Sequence, residues 1–121
     1  MAINSNSSMA DFPSFIRQTT ATTAPDKNLL TGTTGTIYSI HVDGTSGGGS
    51  TNFLKLYDTA DVTHGTTLPI FCVPCTNGNR VRIYSKQGIT ISTALSVAAS
   101  TGAGTAGGSV SGTLVYQIFA S

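Results

Sequence analysis

TIYSIHVDGTSGGGSTNFLKLYD, residues 36–58, is the stretch on which the fold turns. Tyr38, Ile40 and Val42 alternate with Ser39, His41 and Asp43; further on, Leu54 and Leu56 alternate with Phe53, Lys55 and Tyr57. Successive side chains of a strand point to opposite faces, so each segment reads as a strand with one face to bury and one to show. Gly44 to Asn52, between them, is rich in Gly, Ser and Thr and is a poor helix former. It cannot carry a crossover helix, and the spacing predicts an antiparallel hairpin with a wide loop.

Outward from this hairpin the pattern repeats. Lys27 to Thr31 is a short candidate strand ended by Gly32. Leu68 to Val73 is apolar on both faces, and Pro69 and Pro74 confine it to an edge or to bulged ends. Asn77-Gly78 is a tight-turn signal. Val81 and Ile83 alternate with Arg80, Arg82 and Tyr84, and Gln87-Gly88 is expected to turn the chain again. Ile89 and Ile91 follow, then Leu95, Val97 and Ala99. A Gly/Ala/Thr loop over Ser100 to Ser109 leads into a strand over Val110 to Phe119. About eight short strands with regular turn signals predict an all-β protein, an antiparallel β-sandwich or jelly-roll, over residues 27–121.

Residues 1–26 differ. Met1 to Ser8 is polar, Phe12, Phe15 and Ile16 form a small apolar cluster, and Thr19 to Pro25 sustains neither helical nor strand periodicity. Pro13 and Pro25 bias the residues before them toward extended backbone. The expectation is an extended N-terminal arm whose Phe12, Phe15 and Ile16 anchor on a neighbouring subunit.

Composition excludes several classes. Charged residues make up 9% of the chain, against about 25% in an average domain, and the formal net charge is +1. That balance gives no electrostatic reason to bind nucleic acid or an anionic membrane. The N-terminus lacks the basic start and apolar core of a secretory signal, and no run approaches the ~18 apolar residues of a membrane-spanning helix. The expected site of synthesis is a cytoplasm.

Catalytic and metal-binding patterns are weak. Cys72-Val73-Pro74-Cys75 is a CxxC, but a structural zinc site needs four ligands, and His41 and His64 lack ligand spacing to it. A redox CxxC opens a helix, whereas this one ends a strand, and residues three apart on a strand face opposite ways. Inert thiols are expected, with a labile pair as the alternative. Ser39 and His41 are ~7 Å apart along one strand, too far for direct proton transfer. Asp58 and Asp61 lack the ligand ladder of a calcium loop. Arg80, Arg82 and Lys86, with Tyr84, form a basic stripe too short to hold single-stranded nucleic acid, so a salt-bridging or interface role is expected. No catalytic residue, cofactor or metal is assigned, and the protein is expected not to be an enzyme. Partner-binding candidates are Phe12, Phe15, Ile16, Arg80, Arg82 and Tyr84.

Leu30-Thr31-Gly32-Thr33-Thr34-Gly35-Thr36-Ile37-Tyr38-Ser39-Ile40-His41-Val42-Asp43, the Gly-rich turn, Phe53 to Asp58 and the Gly/Ala/Thr/Ser-rich stretch Gly102 to Tyr116 together resemble small β-sandwich structural proteins of tailed bacteriophages. The resemblance spans roughly residues 28–119 and is one of pattern. It implies a virion component, foremost a capsid decoration (cement) protein on the outer head surface. Such a protein binds the major capsid protein and bridges its neighbours, as a homo-oligomer with a trimer ahead of a dimer. A tail or neck component is the alternative within the same class. A carbohydrate-binding sandwich, with Phe53, Tyr57 and Tyr84 as the aromatic candidates, is the alternative outside it.

Overall fold

The computed structural model describes residues 2–6, 14–30, 35–45 and 49–121. Its strands are β1 (Ala2–Asn6), β2 (Ser14–Gln18), β3 (Gly35–Gly44), β4 (Thr51–Asp58), β5 (Phe71–Thr76), β6 (Arg80–Ile91), β7 (Leu95–Ser100) and β8 (Leu114–Ala120). They form two antiparallel sheets, one ordered β1-β2-β8-β3-β6 and the other β5-β4-β7. The all-β antiparallel sandwich expected from the alternation is the observed architecture.

The expected hairpin is not. β3 pairs with β6 and β8, whereas β4 pairs with β5 and β7 in the opposite sheet. β3 and β4 thus belong to opposite layers. Alternation assigns each strand a buried face but does not say which strand lies beside it, and two strands facing each other across a core carry the same pattern as a hairpin. The Asn77-Gly78 turn likewise joins strands of different sheets, β5 and β6. Gly78 takes a φ of 87° there. This end of the sandwich is tied by amides. Asn52, fully buried, donates from Nδ2 to Asn77 Oδ1 (3.1 Å) and to the Ser111 carbonyl (2.9 Å), and accepts from the Ser111 N–H (2.9 Å).

The core is built from cross-strand rows. In the larger sheet Ile16, Ile118, Ile40 and Ile83 lie side by side on β2, β8, β3 and β6. The smaller sheet meets them with Leu54, Leu56, Val73, Val97 and Ala99. Full burial of such a side chain contributes about 1.5–3 kcal/mol.

Ile16 therefore faces inward, not toward a neighbouring subunit. The expected boundary after Asp26 does not coincide with a break in structure. β2 is hydrogen-bonded to β8, Ala21 donates to the Leu114 carbonyl (3.0 Å), and Asp26 exchanges backbone bonds with Val97 of β7 (2.8 and 2.9 Å). Residues 27–30, expected as a strand, are irregular; Leu29 and Leu30 are buried in the core, and the Leu29 N–H bonds to the Leu95 carbonyl (2.9 Å). Thr31 and Phe12 lie outside the described residues.

Gln87-Gly88 does not end a strand. β6 runs on past it, and the register against β3 jumps from Ser39↔Tyr84 to Ile37↔Ile89. Residues 85–88 are a bulge, closed by a bond from the Gly88 N–H to Ser85 Oγ (3.0 Å). Gly88 has a φ of 84°, and a Cβ there would come within 2.0 Å of Thr36 Cγ2.

Two outcomes follow from this packing. Removing residues 1–13 should leave a cooperative unfolding transition, whereas removing residues 1–26 deletes Ile16 and Asp26 and should abolish it in thermal melts. Gly88→Ala should cost at least about 2 kcal/mol in denaturant titrations, since the left-handed backbone alone costs roughly 1–2 kcal/mol.

Candidate interaction face

Each sheet has an outer face, and the two are treated differently by the chain. On the smaller sheet, Lys55 stands in register between Cys72 and Ala98, with Phe53 and Tyr57 on either side of it along β4. This surface is covered. Val62, from the loop after β4, packs with Tyr57 and Ala98, and Lys55 Nζ donates to the Ala106 carbonyl (2.6 Å) in the loop after β7. Lys55 is fully buried and Tyr57 nearly so. Burial pushes the Lys55 ammonium down from the usual lysine range, against an opposing pull from Cys72. Tyr57 Oη and His64 Nε2 are buried without hydrogen-bond partners among the described residues. Of this group of Lys, Cys, Tyr and His, Lys55 and Tyr57 are buried beneath the two loops and Cys72 and His64 are half-buried.

The larger sheet leaves its outer face open. One row across β2, β8, β3 and β6 reads Arg17, Gln117, His41, Arg82. The next reads Phe15, Phe119, Ser39, Tyr84, and beyond the first lie Val115, Asp43 and Arg80. The aromatic rings form a chain: Phe15 to Phe119 at 5.0 Å, Phe119 to His41 at 5.2 Å, and His41 to Tyr84 edge-on at 5.7 Å. Beside them an open groove of about 310 Å³ is lined by Arg17, His41, Asp43, Arg80, Arg82 and Gln117, among others.

Four of the six partner-binding candidates, Phe15, Arg80, Arg82 and Tyr84, thus share one face. Tyr84 is 68% exposed. Arg17, Gln117 and Phe119 join them. Phe15 and Arg17 are two apart, the spacing of one strand face, but β2 is too short to show sustained alternation. The three aromatics considered for carbohydrate are not brought together, since Tyr57 is buried and Phe53 and Tyr84 lie on different sheets.

Charge on the open face is unevenly paired. Arg80 Nε lies 3.3 Å from Asp43 Oδ2, the one salt bridge among the described residues. Burial, and secondarily the Arg82 guanidinium, hold the His41 imidazole below its usual range, so it is neutral at pH 7. Its Nε2 and Ser39 Oγ have no hydrogen-bond partner among the described residues.

Among the described residues no three His, Cys, Asp or Glu side chains gather to hold a metal. Cys75 faces the core and Cys72 the opposite side of β5; both are free thiols. Asp58 spends both carboxylate oxygens on the Ser92, Thr93 and Ala94 N–H groups (2.8–3.2 Å). Burial pushes its acidity one way and these three bonds push it further the other, leaving the pKa below the usual range.

In comparisons with known proteins, no family model matches this chain, and no curated protein or solved structure is similar to it.

His64 is also held low, by burial and then by Lys55. On unfolding, both imidazoles return to about 6.5, so the unfolded state takes up protons first as the pH falls. The two histidines' contribution to stability should decline from about pH 6.5 down to their lowered native values and level off beneath them. Denaturation midpoints measured between pH 7 and pH 5 should show this fall, and the His41→Gln/His64→Gln double variant should show a smaller one.

Proposed function

We propose that this chain is a non-enzymatic assembly protein that docks through the outer face of its larger sheet, and that the assembly is a phage virion. The observation that carries the docking reading is the contiguity of Phe15, Phe119, Tyr84, Arg17, Arg80 and Arg82 across four strands. Aromatic residues and arginine are enriched in protein interfaces and depleted charge marks their centres. On the smaller sheet the loops bury Lys55, Tyr57 and Ala98, which leaves less of that outer face open. The low charge content suits a surface that spends its life against neighbours.

The narrower reading rests on the resemblance of residues 28–119 to small phage structural sandwiches. In it the protein is a capsid decoration protein, set on the outer head surface as a homo-oligomer, trimer ahead of dimer, and bridging major capsid proteins. The arginine–aromatic face is the contact with the capsid, and no nucleic acid, membrane or cofactor takes part.

Fractionation of purified virions of the encoding phage into heads and tails, with this protein quantified by mass spectrometry, tests the reading. Hundreds of copies in heads are expected, with occupancy reduced at least tenfold by Tyr84→Ala. A few copies confined to tails would move the protein to the tail or neck. Absence from both fractions would overturn the virion assignment.

A further inference from the structure

The row Arg17, Gln117, His41, Arg82 has a charge pattern that points to its occupant. Arg17 and Arg82, at its two ends, are exposed and have no carboxylate within ion-pair distance among the described residues, whereas Arg80 is matched by Asp43. Between them are two uncharged polar side chains, Gln117 and His41, in the groove floor. Neighbouring strands are ~4.8 Å apart, so the two unmatched guanidinium-bearing positions are about 14 Å from each other. On an extended peptide, residues i and i+4 project from one side about 13 Å apart. The spacings agree.

We propose that the groove receives an extended acidic segment of a partner protein, lying across β2, β8, β3 and β6, with two carboxylates four residues apart. One carboxylate pairs with Arg17 and the other with Arg82, each able to form a bidentate pair with the planar guanidinium. The intervening side chain on that face lies over Gln117 and His41. The flank of the segment rests against the Phe119 and Tyr84 rings. This rests on the docking reading of the same face and adds the chemistry of the partner.

Single-stranded nucleic acid is the other polyanion to weigh. Base stacking needs splayed rings, but Phe15 and Phe119 pack on each other at 5.0 Å. A run of phosphates also draws on a wide positive field, and here the whole chain carries a net charge of +1. Two separated carboxylates match two separated arginines better than a continuous phosphate chain does.

The test uses the full chain and three labelled probes: an otherwise uncharged extended peptide carrying Asp at positions i and i+4, the same peptide with Asn at both, and an eight-residue oligothymidylate. The Asp peptide should bind at least fivefold more tightly than the Asn peptide at low salt. The advantage should shrink as salt is raised and vanish in the Arg17→Gln/Arg82→Gln variant, whose thermal melt should be unchanged. The His41 ring signals should shift on binding, and the His41 pKa should rise, because a nearby carboxylate favours imidazolium. Equal binding of the two peptides would overturn the proposal, as would oligothymidylate binding more tightly through the same arginines. Head occupancy lost in Tyr84→Ala but kept in Arg17→Gln/Arg82→Gln would leave the docking face standing and overturn the acidic partner alone.

Discussion

The Asp26 carboxylate holds the two sheets in one frame. Its Oδ2 accepts from the buried Tyr116 hydroxyl of β8 and from Gln18 Nε2 of β2, each at 3.0 Å, while its backbone bridges to Val97 in the smaller sheet. A buried tyrosine hydroxyl needs an acceptor, and the Asp26 carboxylate supplies it. Burial, the Asp26 charge and the hydrogen bond together push the Tyr116 phenol far above its ordinary range, so it remains a donor at any pH the fold tolerates. The irregular residues after β2 are thereby fixed along the β7 edge. Leu29 and Leu30 then enter the core, and β3 begins in register with β8.

Strand by strand, much of this was legible in the sequence. Ile40 with Val42, Leu54 with Leu56, and Leu114 with Tyr116 and Ile118 announce their buried faces by alternation. What alternation does not encode is lateral order, and β3 and β4 were assigned to each other for want of any signal that they lie in opposite layers. The segment over residues 19–30 was illegible for another reason: it covers the β7 edge through backbone bonds at Thr22, Asp26 and Leu29, which leave no periodic side-chain trace. Alternation places Lys55 on the face of β4 opposite Leu54 and Leu56, and lysines on such a face are usually exposed. Only the loop carrying Ala106 makes it a buried one.

The open face was half legible. Arg80, Arg82 and Tyr84 share it because they alternate on one strand. Phe15 and Ile16 were grouped with Phe12 as anchors, but adjacent residues of a strand point to opposite sides, and the structure sends Phe15 outward and Ile16 inward. Arg17, Gln117 and Phe119 reach the face only through the β2–β8 register, which joins residues a hundred positions apart in sequence. At the free side of the same sheet, the 85–88 bulge interrupts the β6 edge and places Lys86 there, a common guard against edge-to-edge pairing. In a chain with little net charge, this geometry does work that electrostatic repulsion cannot.

The position of β8 has a kinetic consequence. It follows every other strand in the chain, yet lies between β2 and β3, with β6 and β1 outside them. The larger sheet therefore lacks its middle strand until residues 114–120 have left the ribosome. Until then the apolar rows of β2 and β3 have no neighbour between them, and the smaller sheet has only part of an opposing layer. Completion of the larger sheet waits for residues 114–120, and its rate is governed by closure of the longest sequence separations among the described strands.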